Sequence, residues 1–303
     1  MPPASKAPNE PVSQAAIFGA AMVAVLFFAL TTPLTRAVTF HFDPMLLGMR
    51  PAAAGLVAIP LIAILRLKGP RRPHDWLLLA ISAGGSFVAF PVLYTLGQAY
   101  TSASHGALIQ ASMPIITGAA AAIVERRRPG HAWFVGGAVA FAGEAVLVFF
   151  RGSDAAAREA SIGGDLLILL ASILSASAYV AGSRLAQRIS ALGATLYSVS
   201  LAALVLLPFA VPRALHADWS DLGVGLWVAI VVLCFGPTLL AFIAWFWALS
   251  RGGVQRVAVL QFAQSPLAVL IAIVFLDEPV TIPLLVALAA ILAGIAIARR
   301  AKP

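Results

Sequence analysis

The sequence predicts an all-α polytopic membrane protein with ten transmembrane helices, arranged as two inverted five-helix repeats. Three observations carry this prediction: the composition, the number of long apolar segments, and a similarity between the two halves of the chain. Of the 303 residues, 61% are hydrophobic and 11% are charged, and the mean hydropathy is +0.96. A soluble domain carries about 25% charged residues, because its fold presents a polar exterior to water. The composition therefore excludes a cytosolic enzyme, a nucleic-acid binder and a disordered chain.

Ten apolar segments are long enough to cross a bilayer, which requires about 20 mostly apolar residues. A polar, proline-rich tail of 14 residues precedes the first segment, which is longer than the apolar part of a signal peptide and counts as a span. The predicted spans 1 to 10 are Ala15–Val38, Pro44–Leu65, Trp76–Ala99, Ser104–Val124, His131–Phe150, Asp165–Leu185, Leu192–Val211, Leu222–Leu249, Val254–Leu276 and Thr281–Ala298.

The positions of the basic residues predict how the spans are oriented. With the N-terminus in the cytoplasm, 15 of the 20 Lys and Arg residues fall in cytoplasmic segments, four fall outside, and Arg50 lies within span 2. Cytoplasmic loops carry such an excess of Lys and Arg. The composition, rich in Ala and Arg, is typical of a GC-rich bacterial genome. We therefore predict a multi-pass protein of the bacterial inner membrane, with the lipid bilayer around it and both termini in the cytoplasm.

Two parts of the chain, 152 residues apart, align without a gap. Seven identities among 42 positions are a weak similarity, but in both copies a proline precedes an acidic residue by 11 positions. The similarity pairs span 3 with span 8 and span 4 with span 9, and partners five spans apart run in opposite directions. We predict an N-terminal repeat over residues 1–155 and an inverted C-terminal repeat over residues 160–303. Aligned pairs include Gly84 with Gly236, Phe90 with Phe242, Tyr94 with Phe246, Pro114 with Pro266 and Glu125 with Asp277.

Inverted repeats are typical of secondary transporters, which bind substrate near the midplane between the repeats. Some channels share this symmetry, so a gated, channel-like facilitator is the alternative, although the sequence lacks the charge rings of an ion pore. The sequence has no H-E-x-x-H motif, no paired catalytic carboxylates and no P-loop. We therefore expect neither an enzyme nor a metal or cofactor site.

Prolines and charged residues mark the ends of several spans: Pro33 and Arg36 in span 1, Pro44 and Arg50 in span 2, Pro114 with Glu125 and Arg126 in span 4, and Pro266 with Asp277 and Glu278 in span 9. Over the whole chain, this plan resembles the EamA-type drug/metabolite transporter family, and within it looks most like the bacterial aromatic amino-acid exporter branch. The resemblance implies export of small metabolites. Neutral or aromatic amino acids are the expected substrates, with other metabolites or drugs as the alternative, and a monomer or weak homodimer is the expected assembly.

Spans 3, 4, 8 and 9 meet at the repeat junction and carry the candidate substrate site. Polar side chains within spans usually face protein or water, and a proline near mid-span frees a backbone carbonyl, which is tolerated beside a cavity. The alternatives are a packing bend for the prolines and an interhelical hydrogen bond for the glutamines. Trp245 and Trp247 are assigned to an aromatic belt at the membrane surface. The predicted substrate-binding set is Phe90, Tyr94, Gln98, Ser112, Pro114, Phe246, Gln261, Gln264 and Pro266.

The predicted symmetry also implies two gates that close in turn. The outer gate would combine Tyr94 and Gln98 with His105, for which helix capping is the alternative role. The inner gate would combine Phe246, Ser250 and Val257.

Two charges lie within spans outside this set, Arg50 in span 2 and Glu144 in span 5. Each sits about 9 Å below the outer helix ends, at 1.5 Å per residue. Equal depth and opposite sign predict a structural ion pair, because pairing reduces the cost of each charge in the membrane. Proton coupling is the alternative role for Glu144.

Overall fold

The computed structural model describes residues 13–39, 41–100, 109–126, 129–150, 161–220, 222–267, 270–271 and 282–300. Within these ranges the chain forms helices and turns and no strand. The helices of the first half are α1 (Gln14–Thr39), α2 (Pro44–Gly48), α3 (Pro51–Ile64), α4 (Pro73–Ser82), α5 (Phe90–Tyr100), α6 (Met113–Glu125) and α7 (His131–Phe150). Those of the second half are α8 (Ile162–Ile189), α9 (Ala191–His216), α10 (Val224–Phe235), α11 (Ala241–Gly252), α12 (Val254–Ala258) and α13 (Ile282–Arg299).

Three segments of other helical geometry continue these helices. A π-helical segment, Ala83–Ala89, joins α4 to α5, and a second, Gly236–Leu240, joins α10 to α11. A 3-10 helix, Val259–Ala263, follows α12. π-Helical turns inside α-helices are rare and occur frequently at functional sites.

Six helical stretches are long and apolar enough to cross a membrane: Gln14–Thr31, Pro44–Ile64, Pro73–Gly97, Ile162–Ile189, Ala191–His216 and Val224–Gly252. Met113–Glu125 and Leu285–Arg299 are shorter apolar helices. This all-helical fold is that expected of a polytopic membrane protein. Described helix also falls within each of the ten predicted spans, while the number of ten crossings and the inverted repeat stay predictions.

Side chains at the helix starts explain several boundaries. The Asp43 carboxylate accepts a hydrogen bond from the Met45 amide (2.9 Å) before α2, and the Ser190 hydroxyl accepts one from the Gly193 amide (3.1 Å) before α9. Such caps satisfy amides that the first turn leaves without an intrahelical partner. Prolines occupy the first turn of α2, α3, α4 and α6, where a missing N–H costs nothing.

Small residues allow the helices to pack closely. A Cβ added at Gly136 in α7 would lie 2.5 Å from the Gly294 carbonyl oxygen in α13. A Cβ at Gly55 in α3 would overlap Ala203 in α9. Interfaces of membrane helices are rich in such residues because they let the backbones approach each other. The pairs α7–α13 and α3–α9 therefore form two close crossings of the bundle.

The contacts of α8 in the second half have counterparts at α1 in the first. α8 packs against α4, α5 and α6, while α1 packs against α10, α11 and the 3-10 helix. If each span of one half is replaced by the span at the same position in the other half, the helices that pack against α8 become those that pack against α1, and the reverse. The same exchange maps the pairs α3–α9, α6–α12 and α7–α13 onto themselves.

The helix ends meet in two groups at opposite ends of the bundle. One group, which we call the Asp75 end, contains the start of α4 and the end of α8, and the predicted orientation makes it cytoplasmic. Because successive spans run in opposite directions, the end of one span lies at the same side of the bundle as the start of the next. The contacts there join Asp75 with Arg188, Leu67 with Tyr197, Val124 with Arg184, Ser250 with Gln187, Gln255 with Trp133 and Phe18 with Arg299.

The opposite group, which we call the Asp43 end, holds the start of α2, the end of α9 and the start of α10. Asp43 Oδ2 lies 3.2 Å from Arg213 Nη1, and the rings of Phe42 and Trp219 are 4.9 Å apart. In the loop after α9, the hydroxyl and the amide of Ser220 donate hydrogen bonds to Asp218 and lower the pKa of its carboxyl group. That carboxylate therefore stays ionised at neutral pH.

Candidate functional site

A cluster of aromatic rings lies where α1, α8, α11 and the first π-helical segment meet. The Phe242 ring centre is 4.3 Å from that of Phe87, 5.4 Å from that of Phe28 and 6.0 Å from that of Tyr179. Trp245 lies edge-on to Tyr179 at 5.8 Å. Edge-to-face contacts of this kind stabilise aromatic pairs beyond their burial. We call Phe28, Phe87, Tyr179, Phe242, Trp245 and Phe246 the aromatic cluster; all six are buried.

Polar atoms without partners lie within and beside this cluster. Gln261, which is 7% exposed, places its Nε2 3.8 Å from the Met113 Sδ, and the Tyr179 side chain has Ser175 and Gln261 as polar neighbours. Within the described part of the chain, neither Gln261 Oε1 nor Trp245 Nε1 has a hydrogen-bond partner, although both are buried. An unmatched buried polar group costs about 1–3 kcal/mol, so its retention calls for an explanation.

A second group of side chains lies beyond the cluster, toward the Asp43 end, and is only half-buried. Tyr94, seven residues after Phe87, is about 10 Å further along the helix axis. Its hydroxyl donates a hydrogen bond to Gln110 Oε1 (2.9 Å), and its ring stacks on Phe90 at 5.4 Å. Gln264 Nε2 approaches the Phe28 carbonyl oxygen at 3.4 Å. Both groups consist of neutral residues, so the site offers aromatic faces and a few amide and hydroxyl groups.

The structure brings several predicted site residues together. Phe90 contacts Tyr94, and Phe246 joins the aromatic cluster with its ring in the notch left by Gly182. Gln261 is buried at α6, and Gln264 reaches α1. Their assignment as substrate-binding residues stays a prediction.

Other predicted residues have local roles or lie elsewhere. Pro114 is buried in the first turn of α6, so span 4 breaks at Ser112, whose hydroxyl donates to the Ile109 carbonyl (2.6 Å). Pro266 is buried. The side chain of Gln98 and the whole of His105 lie outside the described residues.

Sequence reasoning missed part of the cluster. Trp245 is 0% exposed, so its assignment to a surface belt is wrong. Tyr179 and Phe28 lie on spans 6 and 1, outside the four spans that the repeat alignment singled out. A signal for α8 existed: Ser172, Ser175 and Tyr179 recur at helical spacing on one face, as a buried polar stripe does.

The structure does not join Arg50 to Glu144. Among the described residues, the ion pairs link Arg188 to Asp75 and Arg213 to Asp43. Glu144 is buried in α7, which packs along α13, whereas Arg50 precedes α3, which packs along α9. Equal depth in the membrane therefore left the two residues on helices with different packing partners.

The fold and this site define a polytopic helical membrane protein with a neutral, aromatic interior. The sequence profile of the EamA-like transporter family matches residues 15–149 and 162–300. The chain therefore belongs to the EamA-like transporter family. Its family and its relatives are described as transporters and not as enzymes.

Two curated relatives illustrate its place in the family. The uncharacterized transporter YdeK of Bacillus subtilis (strain 168) is 26% identical over 282 residues, which cover 92% of this chain and 95% of that protein. A protein of Streptantibioticus cattleyicolor named "Probable terminal-alkyne amino-acid exporter" is 26% identical over 212 residues, or 69% of each chain.

A solved crystal structure has the same fold. It superposes with a TM-score of 0.75, covers 94% of this chain and 97% of its own, and is 24% identical in sequence. At this identity the similarity establishes the fold alone.

Proposed function

We propose that this chain is a secondary transporter that exports small amphipathic metabolites, above all neutral and aromatic amino acids, across the bacterial inner membrane by alternating access. The observation that carries the proposal is the buried aromatic cluster: the Nε1 of its Trp245 and the Oε1 of the neighbouring Gln261 have no partner among the described residues. Ligand sites combine apolar walls with a few placed polar groups. The family assignment and an amino-acid exporter among the relatives also support this proposal.

The chemistry of the cluster favours a substrate without net charge. Aromatic faces attract apolar side chains, and also ammonium groups through cation–π contacts. The indole N–H of Trp245 can donate one hydrogen bond and the Gln261 amide oxygen can accept one. No residue of the cluster carries a charge, so a net anion or cation bound there would lose its hydration without a counter-ion.

Three observations support the inverted repeat, an arrangement found in many alternating-access transporters. The family profile matches each half of the chain separately. The packing of α8 in one half has its counterpart at α1 in the other. At the shift of 152 residues, the π-helical segment Gly236–Leu240 falls on residues 84–88, inside the π-helical segment Ala83–Ala89. Equivalent positions of both halves thus depart from α-helical geometry in the same way.

We place the inner gate of this transporter at the Asp75 end. Three side chains near the end of α8, which we call the α8 latch, reach three other helices: Arg184 Nη2 the Val124 carbonyl (3.1 Å), Gln187 Nε2 the Ser250 carbonyl (3.2 Å) and Arg188 Nη1 the Asp75 carboxylate (2.8 Å). Phe246 and Val257 are 0% exposed beneath it. Opening at this end would break the latch.

Flux into liposomes tests this proposal. The purified protein is reconstituted, and uptake of radiolabelled phenylalanine, leucine and glutamate is measured with and without a pH gradient. We expect saturable flux of the two neutral amino acids, inhibited by unlabelled competitor, and little flux of glutamate. Flux that does not saturate favours the gated, channel-like facilitator. Absence of flux for every neutral amino acid contradicts the proposed substrate class.

A further inference from the structure

Arg50 is a cation within a membrane-crossing stretch, and it has no partner among the residues that the structure describes. It lies at the junction of α2 and α3, inside the apolar stretch Pro44–Ile64. Its Nε is buried without a hydrogen bond, and its guanidinium group forms no hydrogen bond or ion pair with the residues that the structure describes. Its flanking residues Leu47, Met49 and Ala52 are buried and apolar.

Unlike Arg50, an arginine at each end of the bundle is paired with a carboxylate among the described residues. Arg188 and Arg213 have side chains that are 40% and 48% exposed, and water could solvate them, yet each is paired with a carboxylate. For Arg50, about 9 Å below the helix ends, the thiol of Cys234 is the one electrostatic neighbour among the described residues. A neutral thiol does not balance a guanidinium charge.

A second polar group also lacks a partner among the described residues. The hydroxyl of Thr35 in α1 is buried and unmatched within the described part of the chain. α1 packs against α2, which ends two residues before Arg50. Two buried donors without acceptors among the described residues, one of them charged, are consistent with an acceptor that a bound ligand supplies.

A charged residue inside a membrane protein faces the bundle interior or a water-filled path, and it marks a substrate or ion pathway unless it is paired. The planar guanidinium presents five N–H donors, and it binds a carboxylate through two parallel hydrogen bonds. An amino acid carries such a carboxylate, which the neutral aromatic cluster cannot balance.

We propose that Arg50 binds the carboxylate of the transported substrate, at a subsite between the aromatic cluster and the Asp43 end. This inference rests on the proposed function, since it takes the substrate to be an amino acid. The phosphate of a lipid headgroup offers similar oxygens, and the experiment separates the two sources.

The first measurement is the melting temperature of the ligand-free protein in detergent. An anion site that is empty loses nothing when its cation is removed, so Arg50→Gln should melt at the same temperature as the parent or higher. A structural ion pair would leave a buried charge behind when broken, and would lower the melting temperature by several degrees. The matched control is Arg213→Gln, which breaks the exposed pair with Asp43.

The second measurement is the affinity for phenylalanine and for phenylalaninamide, in which a carboxamide replaces the carboxylate. The parent should bind phenylalanine at least about tenfold more tightly than the amide, about 1.4 kcal/mol. In Arg50→Gln, the affinity for phenylalanine should fall to that for the amide, and the affinity for the amide should change less than about twofold. Arg50→Lys, which keeps the charge but not the bidentate geometry, should be intermediate.

Each other outcome has a definite meaning. The proposal is overturned if Arg50→Gln loses equal affinity for both ligands, or loses none for phenylalanine. It is also overturned if Arg50→Gln lowers the melting temperature and Arg50→Lys restores it without any change in selectivity. Stabilisation by phosphatidylglycerol that depends on Arg50, with unchanged phenylalanine affinity, assigns the site to lipid and also overturns it. If amino acids fail to bind but another carboxylate, such as benzoate, binds in an Arg50-dependent way, the carboxylate subsite stands and the amino-acid assignment fails. If no carboxylate binds, both the carboxylate subsite and the amino-acid assignment fail.

Discussion

The Asp75 carboxylate joins the start of α4 to the end of α8: its Oδ1 lies 2.8 Å from Arg188 Nη1. The same side chain accepts hydrogen bonds from the amides of Arg71 and Arg72 (3.4 and 3.2 Å) through Oδ2, and so caps α4. The Asp75 side chain is only 7% exposed, whereas that of Arg188 is 40% exposed. One carboxylate thus caps the start of α4 and joins it to the end of α8.

Breaking this contact should favour opening at the Asp75 end. Arg188→Gln leaves the cap of α4 intact and removes the charged contact with Asp75. We expect a cysteine at Val257, in a Cys234→Ala background, to react faster with a membrane-impermeant thiol reagent in inside-out vesicles, by about threefold to tenfold. This range corresponds to about 0.6–1.4 kcal/mol, as for a partly exposed pair.

The control for this experiment is Arg213→Gln, which breaks an ion pair at the Asp43 end. It should leave the reactivity of the Val257 cysteine unchanged. If both variants, or neither, alter labelling, the α8 latch is not an inner gate.

The notch at Gly182 predicts a second effect, on stability. A Cβ there would overlap the ring of Phe246, so Gly182→Ala forces the ring to move within a packed cluster. Overpacking of this kind costs about 1–3 kcal/mol. The melting temperature in detergent should fall. Gly19→Ala, where an added Cβ meets nothing within 4 Å, should leave it unchanged or raise it slightly; equal effects of both would show that the ring contact is unimportant.

The predicted orientation is tested by cysteine accessibility in intact cells. A cysteine at Asp218, in the loop between α9 and α10, should react with an impermeant reagent added from outside. One at Arg71, in the segment before α4, should react only after the membrane is opened. The reverse pattern would invert the topology.

The helices were predictable because the bilayer restricts the backbone conformations of a chain that crosses it. A chain that crosses a hydrocarbon layer must satisfy its backbone hydrogen bonds internally, so long apolar runs become helices. Prolines and small polar caps then set many of the ends. Asp43 and Pro44 at the start of α2 illustrate this local logic.

The neighbours of each helix could not be predicted in the same way. Position along a span gives the depth of a side chain, but the direction it faces depends on packing with other helices. Trp245 lies near a helix end, as a belt residue would, and yet points into the aromatic cluster. Arg50 and Glu144 share a depth but sit on helices with different partners. Tyr179 was missed because the sequence similarity of the repeats extends over spans 3, 4, 8 and 9 only.

The unmatched indole of Trp245 gives a prediction for binding. Trp245→Phe keeps an aromatic ring but removes the N–H donor, so the affinity for phenylalanine should fall by about threefold to tenfold, as for loss of one hydrogen bond of about 1 kcal/mol. Trp219→Phe, at the Asp43 end, is the matched control and should bind normally. Equal affinities in both variants would remove Trp245 from the site.

Counterflow in liposomes is the most direct test of a neutral, aromatic transport site. Vesicles loaded with unlabelled phenylalanine are diluted into a trace of labelled phenylalanine, and the label inside is followed with time. A carrier with this site should accumulate the label transiently above its outside concentration, and the Trp245→Phe, Gln261→Ala double variant should reduce the initial rate at least about tenfold relative to Trp219→Phe. Accumulation that is unchanged in the double variant, or absent for every neutral amino acid, would contradict it.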